Sequence, residues 1–160
     1  MTGSLVHLRL VQPARIDLVR AHPLLGDDAL AWLGSPVEDP AAQPGRRRVL
    51  TDLTLPLRDD TSRLVLRKAA YVDLGTPEEL GERLRCEIAW CSATHAPLFP
   101  IFAGFLTVGP TELRLEGYYA PPGGEFGVVL DRALLNVAAR ATARCLLRTF
   151  ASTLAAAEPA

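Results

Sequence analysis

From Glu125 to Ala157 the sequence contains no proline and a single glycine, Gly127, and alanine and leucine dominate it. Both are strong helix formers. The stretch predicts one helix of roughly 30 residues, ~45 Å long at 1.5 Å per residue. Leu130, Leu134, Val137, Ala138, Ala141 and Cys145 recur at the i, i+3/i+4 rhythm of a buried face. Small residues at 138 and 141 would let that face approach a sheet closely. An apolar stripe this long needs an equally long partner, and no second helix of comparable length is written in the chain. The helix must therefore lie across a sheet.

The sheet is written upstream. "SLVHLRLV" (4–11) sets Val6, Leu8 and Leu10 against His7 and Arg9. From Arg46 onward "RRRVLTDLTLPL", "RLVLRKAAYVDLG", "RLRCEIAWCSAT", "IFAGFLTV" and "ELRLEGYYA" follow one another, with "RDDTS" and "GPT" as turns and "GTPEELG" as a loop. Connections this short make hairpins, so the sheet should be antiparallel, with about six strands once the first is counted. "PARIDLVRA" and "GDDALAWLG" each read as a short helix, with Asp27 or Asp28 near the second N-terminus and Gly34 after its end. "SPVEDPAAQPG" (35–45) reads as a loop. The first 34 residues are too few to fold alone, so residues 1–160 are expected to form a single α+β domain.

Bulk properties exclude several function classes. Seventeen basic residues against eighteen acidic ones leave a net charge of −1, without the clustered positive excess of a nucleic-acid binder. His7 and Arg9 interrupt the N-terminal apolar run, so no secretory signal is expected. Arginines break the C-terminal helix, so no membrane insertion is expected either, and the chain reads as cytoplasmic. Three cysteines without a CxxC pair agree with that reading. Cys86 and Cys91 should point to opposite faces of one strand.

No motif supplies a chemistry. His7, His22 and His95 lack metal-ligand spacing, so no metal is expected. There is no G-x-S-x-G elbow, P-loop or dinucleotide fingerprint, and no cofactor is expected. "PPGGEFG" looks like a phosphate loop, yet Pro121 and Pro122 have no N–H to donate and Glu125 would repel an anion. Arg140, Arg144 and Arg148 form a basic stripe whose ordinary reading is a solvated face, and "GRRR" (45–48) is too short for a nucleic-acid footprint.

"APLFPIFAGFLTV" together with "TELRLEGYYAPPGGEFGVVLDRALLNVAARATARCLLRTFASTL" resembles the end of a START/SRPBCC domain. That superfamily includes polyketide cyclases, plant pathogenesis-related proteins and lipid-transfer domains. The resemblance covers approximately the C-terminal two-thirds of the chain. It implies a helix-grip fold, in which a curved antiparallel sheet wraps around a long C-terminal helix, with short helices near the N-terminus. Pro121, Pro122, Gly123 and Gly124 would then form the hinge between sheet and helix, with Asp131 favouring the helix dipole.

Such a fold implies a cavity between sheet and helix, and apolar cavities with a few polar groups are the default ligand site. Alternation places Ile88 and Trp90 inward, because their alternates are charged, and sets Leu115, Gly117 and Tyr119 on one face of the last strand. Leu134, Ala138 and Ala141 would face them, and Gly117 would leave room for a ligand. The expected function is binding of an apolar small molecule, lipid- or polyketide-like. Two alternatives stand beside it: a cyclase/aromatase-like enzyme in which Tyr119, His95 or a buried water moves protons, and an interaction module with a vestigial pocket. Fold does not choose among them. "IFAGFLTV" is apolar on both faces, so either the N-terminal helices or a second subunit should cover its outer side, leaving monomer and homodimer both open.

Overall fold

The computed structural model describes residues 5–37, 45–59, 62–93, 101–120 and 132–156; within these, the side chains at 30–31, 35–36, 54–59, 62–68, 132–136 and 138 are not described. The expected hinge at 121–124, Asp131 and the loop with His95 lie outside the described residues. The elements are β1 (Val6–Pro13), α1 (Leu18–Leu25), α2 (Leu30–Leu33), β2 (Ser35–Val37), β3 (Arg47–Asp59) and β4 (Ser62–Leu74). They continue with β5 (Glu78–Leu80), β6 (Arg83–Ser92), β7 (Ile101–Val108), β8 (Glu112–Ala120) and α3 (Arg132–Ala156).

All strands described join one antiparallel sheet in the order β1-β8-β7-β6-β4-β3-β2, with β5 also pairing β6. Two short strands go beyond the expected six. Ser35–Val37, expected as loop, pairs with Arg48–Leu50, after Gly34 turns the chain at φ 120°. Glu78–Leu80 pairs with Arg83–Arg85 and so continues the line of β4 along β6. Gly75 bridges the break, its N–H donating to Glu87 O at 2.8 Å. Hydrogen bonding to a neighbouring strand, rather than local pattern, decides such three-residue strands.

The helix lies in the grip of this sheet. α3 approaches β3 on one side and β1 and β8 on the other. In the sheet order those strands are separated by β7, β6 and β4, so the sheet must curve around the helix to present both sides to it. Among the described residues α3 makes no comparable approach to β6 or β7, the middle of the sheet.

The helix face differs from the expected one. Ala139, Ala143, Leu146, Leu147, Phe150 and Leu154 are buried, whereas Val137 is 55% exposed and Ala141 and Cys145 are half-buried. The physical reason is size. Leu146, Leu147, Phe150 and Leu154 carry far more apolar area than the alanines and cysteine of the expected stripe, and burial free energy scales with area. Arg144 and Arg148 are exposed, as a solvated face requires.

α1 is capped by Asp17, whose carboxylate accepts from Val19 N–H at 3.0 Å. Both short helices belong to the same core as α3: Ala21, Leu24, Leu25, Trp32 and Leu33 are buried with Phe150. They therefore do not cover the outer side of β7, where Ile101 is 56% and Phe105 40% exposed. Of the two coverings left open from sequence, the N-terminal helices are therefore not the one. The "GRRR" arginines are each taken by a carboxylate from a different element: Arg46 by Glu87, Arg47 by Asp27 and Arg48 by Asp73. Arg46 and Arg48 link this segment to β6 and β4, and Arg47 links it to the turn after α1.

Candidate functional site

Register builds the site. Trp90 on β6 faces Phe102 on β7, and Phe102 faces Tyr119 on β8, so three aromatic side chains form one row across adjacent strands. The row continues through Val72 and Val49 on one side and Val6 on the other. It belongs to the concave face, and Trp90, Phe102 and Tyr119 are all buried. Trp90 and Phe102 stack with centroids 4.2 Å apart and planes 18° from parallel, a favourable aromatic arrangement.

Two polar atoms in this row stand out. Trp90 Nε1 is buried without a hydrogen-bond partner among the described residues. The molecule's other tryptophan shows the usual solution, Trp32 Nε1 donating to Leu24 O at 2.8 Å. A buried donor left unmet costs about 1–3 kcal/mol, so something ordinarily accepts from it. The Tyr119 hydroxyl is held above its ordinary pKa by burial, with the positive charge of Arg140 on α3 pulling the other way. At neutral pH that hydroxyl is a proton-bearing donor.

Of the residues singled out from sequence, Ile88, Trp90, Leu115 and Tyr119 are buried on this one face. The side chains of Leu134 and Ala138 are not described. Gly117 lies on the same face but leaves no room. A Cβ built there would stand 2.3 Å from Ala103 O, 2.6 Å from Gly104 Cα and 2.8 Å from Phe102 Cζ. Gly117 pairs directly with Gly104, so the two glycines let β7 and β8 approach and bend where side chains would collide. Phe102, the middle of the row, was missed because β7 is apolar on both faces and alternation does not choose between them. Register carried over from Trp90 and Tyr119 would have found it.

Cys86 lies on the concave face, fully buried, and Cys91 is half-buried; all three cysteines are free. The Cys86 thiol donates to Gly75 O at 3.3 Å, and burial pushes its pKa up from 9.0 to about 11. The sign follows directly. Below pH 9 the thiol is neutral folded or unfolded, and its contribution is complete. Above pH 9 the unfolded chain loses this proton first, so stability falls until the folded thiol also ionises near pH 11. Urea titrations should show wild type losing roughly 2 kcal/mol relative to Cys86→Ala between those pH values. Parallel pH profiles for the two proteins would refute the assignment.

Among the described residues no three His, Cys, Asp or Glu side chains group as a metal ion would need, and no helix is long and apolar enough to cross a membrane.

Comparison with known proteins shows the fold alone. No family model matches the chain, and no curated protein matches it significantly. Among solved structures it is similar to TTHA0849 from Thermus thermophilus, with a TM-score of 0.55 and 15% identity over 96% of this chain and 100% of that one. It is also similar to a conserved protein from Geobacillus kaustophilus, with a TM-score of 0.51 and 11% identity over 94% of this chain and 96% of that one.

Proposed function

We propose that this chain is a START/SRPBCC-like domain that binds an apolar small molecule, lipid- or polyketide-like, between the concave face of the sheet and α3. The observation that carries the reading is the buried Trp90 indole N–H, without an acceptor among the described residues and set in a row of aromatic side chains. An apolar ligand bearing one acceptor oxygen would complete it. The position of α3 supports the same reading, since it grips the flanks of the sheet and not β6 and β7.

Native mass spectrometry of protein purified from its own host should reveal a retained small molecule. Titration with the neutral apolar fluorophore N-phenyl-naphthylamine should shift the Trp90 indole N–H resonance and leave that of Trp32, already bonded to Leu24, in place. If no mass is retained and neither resonance moves, the interior is packed and the reading fails.

A further inference from the structure

The Trp90 indole is fixed in place before any ligand arrives. It rises from β6 between its cross-strand neighbours, Val72 on β4 and Phe102 on β7, and both are buried beside it. Phe102 stacks against it with centroids 4.2 Å apart, so the indole cannot turn toward a distant acceptor without giving up that stack. β6 is paired on both sides at this point, which engages the surrounding backbone carbonyls in the ladder. The donor is therefore both unmet among the described residues and held in one direction. A donor fixed in advance costs a ligand little to meet.

The chemistry of that donor narrows what can meet it. An indole nitrogen donates and never accepts, so the ligand must bring an acceptor. A carbonyl oxygen accepts and carries no hydrogen of its own. A hydroxyl also accepts, but it buries a hydrogen that then needs a partner. The next hydroxyl along the row, Tyr119, stands two strands away with Phe102 between, about 10 Å distant at the Cα atoms. A carboxylate would bring charge to a place that offers it none. Among the described residues, the side chains facing inward from β6, β7 and β8 are uncharged, and the positive charge of Arg140 is felt at Tyr119, the far end of the row. Burying an unpaired charge costs far more than burying a neutral acceptor.

Resting on the binding function proposed above, we infer that Trp90 is the specificity-determining residue of this interior and that its ligand is a neutral carbonyl compound. The oxygen of a ketone, aldehyde or ester accepts from the indole N–H, and the apolar body lies along the aromatic row. A hydrocarbon of the same shape buries the same area and leaves the donor unmet, so Trp90 discriminates by one hydrogen bond.

The test is displacement of N-phenyl-naphthylamine from the full chain by fluorenone, fluorenol and fluorene, which share one shape. Fluorenone should bind about tenfold tighter than fluorene, with fluorenol between them. Fluorenone should also move the Trp90 indole N–H resonance downfield, as a new hydrogen bond does, and fluorene should not. Trp90→Phe keeps a ring and removes the N–H, so it should level the ketone and the hydrocarbon. Octanone, octanol and octane repeat the series in case fused rings are too broad for the interior. Equal affinities of ketone and hydrocarbon in the wild type would overturn the role of Trp90 while leaving apolar binding intact. A ketone preference that survives in Trp90→Phe, or that comes without an indole shift, would overturn it too, because another group then reads the oxygen. Failure of both series to displace the fluorophore has the same consequence. If the fluorophore itself does not bind, the binding function fails first. Should Trp90→Phe not fold, the wild-type affinity ratio and the indole shift decide together.

Discussion

Replacing Phe150 with alanine is expected to destabilise the protein by about 3–5 kcal/mol, the range for removing a large buried aromatic side chain. Phe150 is fully buried and meets Trp32 edge-on, with centroids 4.8 Å apart and an interplanar angle of 71°. Trp32 in turn is fixed to the end of α1 through its bond to Leu24 O. One side chain thus links the long helix to α2 and, through Trp32, to the end of α1, and the bond to Leu24 O holds Trp32 back from collapsing into the vacated space. For a domain of this size the melting temperature should fall by roughly 10 °C or more. Val137→Ala, on the exposed side of the same helix, should change stability by no more than about 0.5 kcal/mol. Equal losses in the two variants would mean that the helix is seated in a different rotation.

Gly117→Ala should be nearly as damaging as a core truncation, although it adds only a methyl group. The obstacles are mainly backbone, at 2.3 Å from Ala103 O and 2.6 Å from Gly104 Cα, and backbone in a hydrogen-bonded sheet cannot swing aside as a flexible side-chain tip can. A loss of about 3 kcal/mol, the upper part of the range for overpacking, is expected, and Gly104→Ala should behave alike because a Cβ there would stand 2.2 Å from Glu116 O. Gly81→Ala separates sterics from backbone conformation. Gly81 has φ +61° with nothing within 4 Å of an added Cβ, so only the smaller strain of a left-handed residue applies, about 1 kcal/mol. If Gly117→Ala proved neutral or stabilising in urea titrations, the space beside it would be open and the sheet less tightly folded at that point.

The two variants mark where sequence reading succeeds and where it stops. The long helix, the strands and the antiparallel order are legible because each is a local property, periodicity and short connections, repeated over enough residues to be unambiguous. The inward set Ile88, Trp90, Leu115 and Tyr119 is legible for the same reason, since charged alternates on β6 and β8 fix which face is wet. Where that contrast is lost, the reading fails. β7 is apolar on both sides, so Phe102 was not singled out and the exposure of Ile101 and Phe105 was not foreseen. On α3 alanine appears all around the helix and blurs its phase, and only contact with the sheet and Trp32 selects the Phe150 face.

Gly117 is the sharpest case. A glycine on the inward face is read from sequence as space, because an absent side chain is all that sequence records. The same absence permits two backbones to meet, and which of the two holds depends on the residue across the strand. That residue is Gly104, thirteen positions away and brought opposite by the β7–β8 hairpin. The sequence alone determined an α+β chain with a meander and one long helix, through local patterns that every residue in a segment reinforces. Tertiary structure decided what those elements enclose: an aromatic row whose indole N–H meets no acceptor among the described residues, and two facing glycines that let β7 and β8 close on each other. Both arise from residues distant in sequence whose juxtaposition no local pattern encodes.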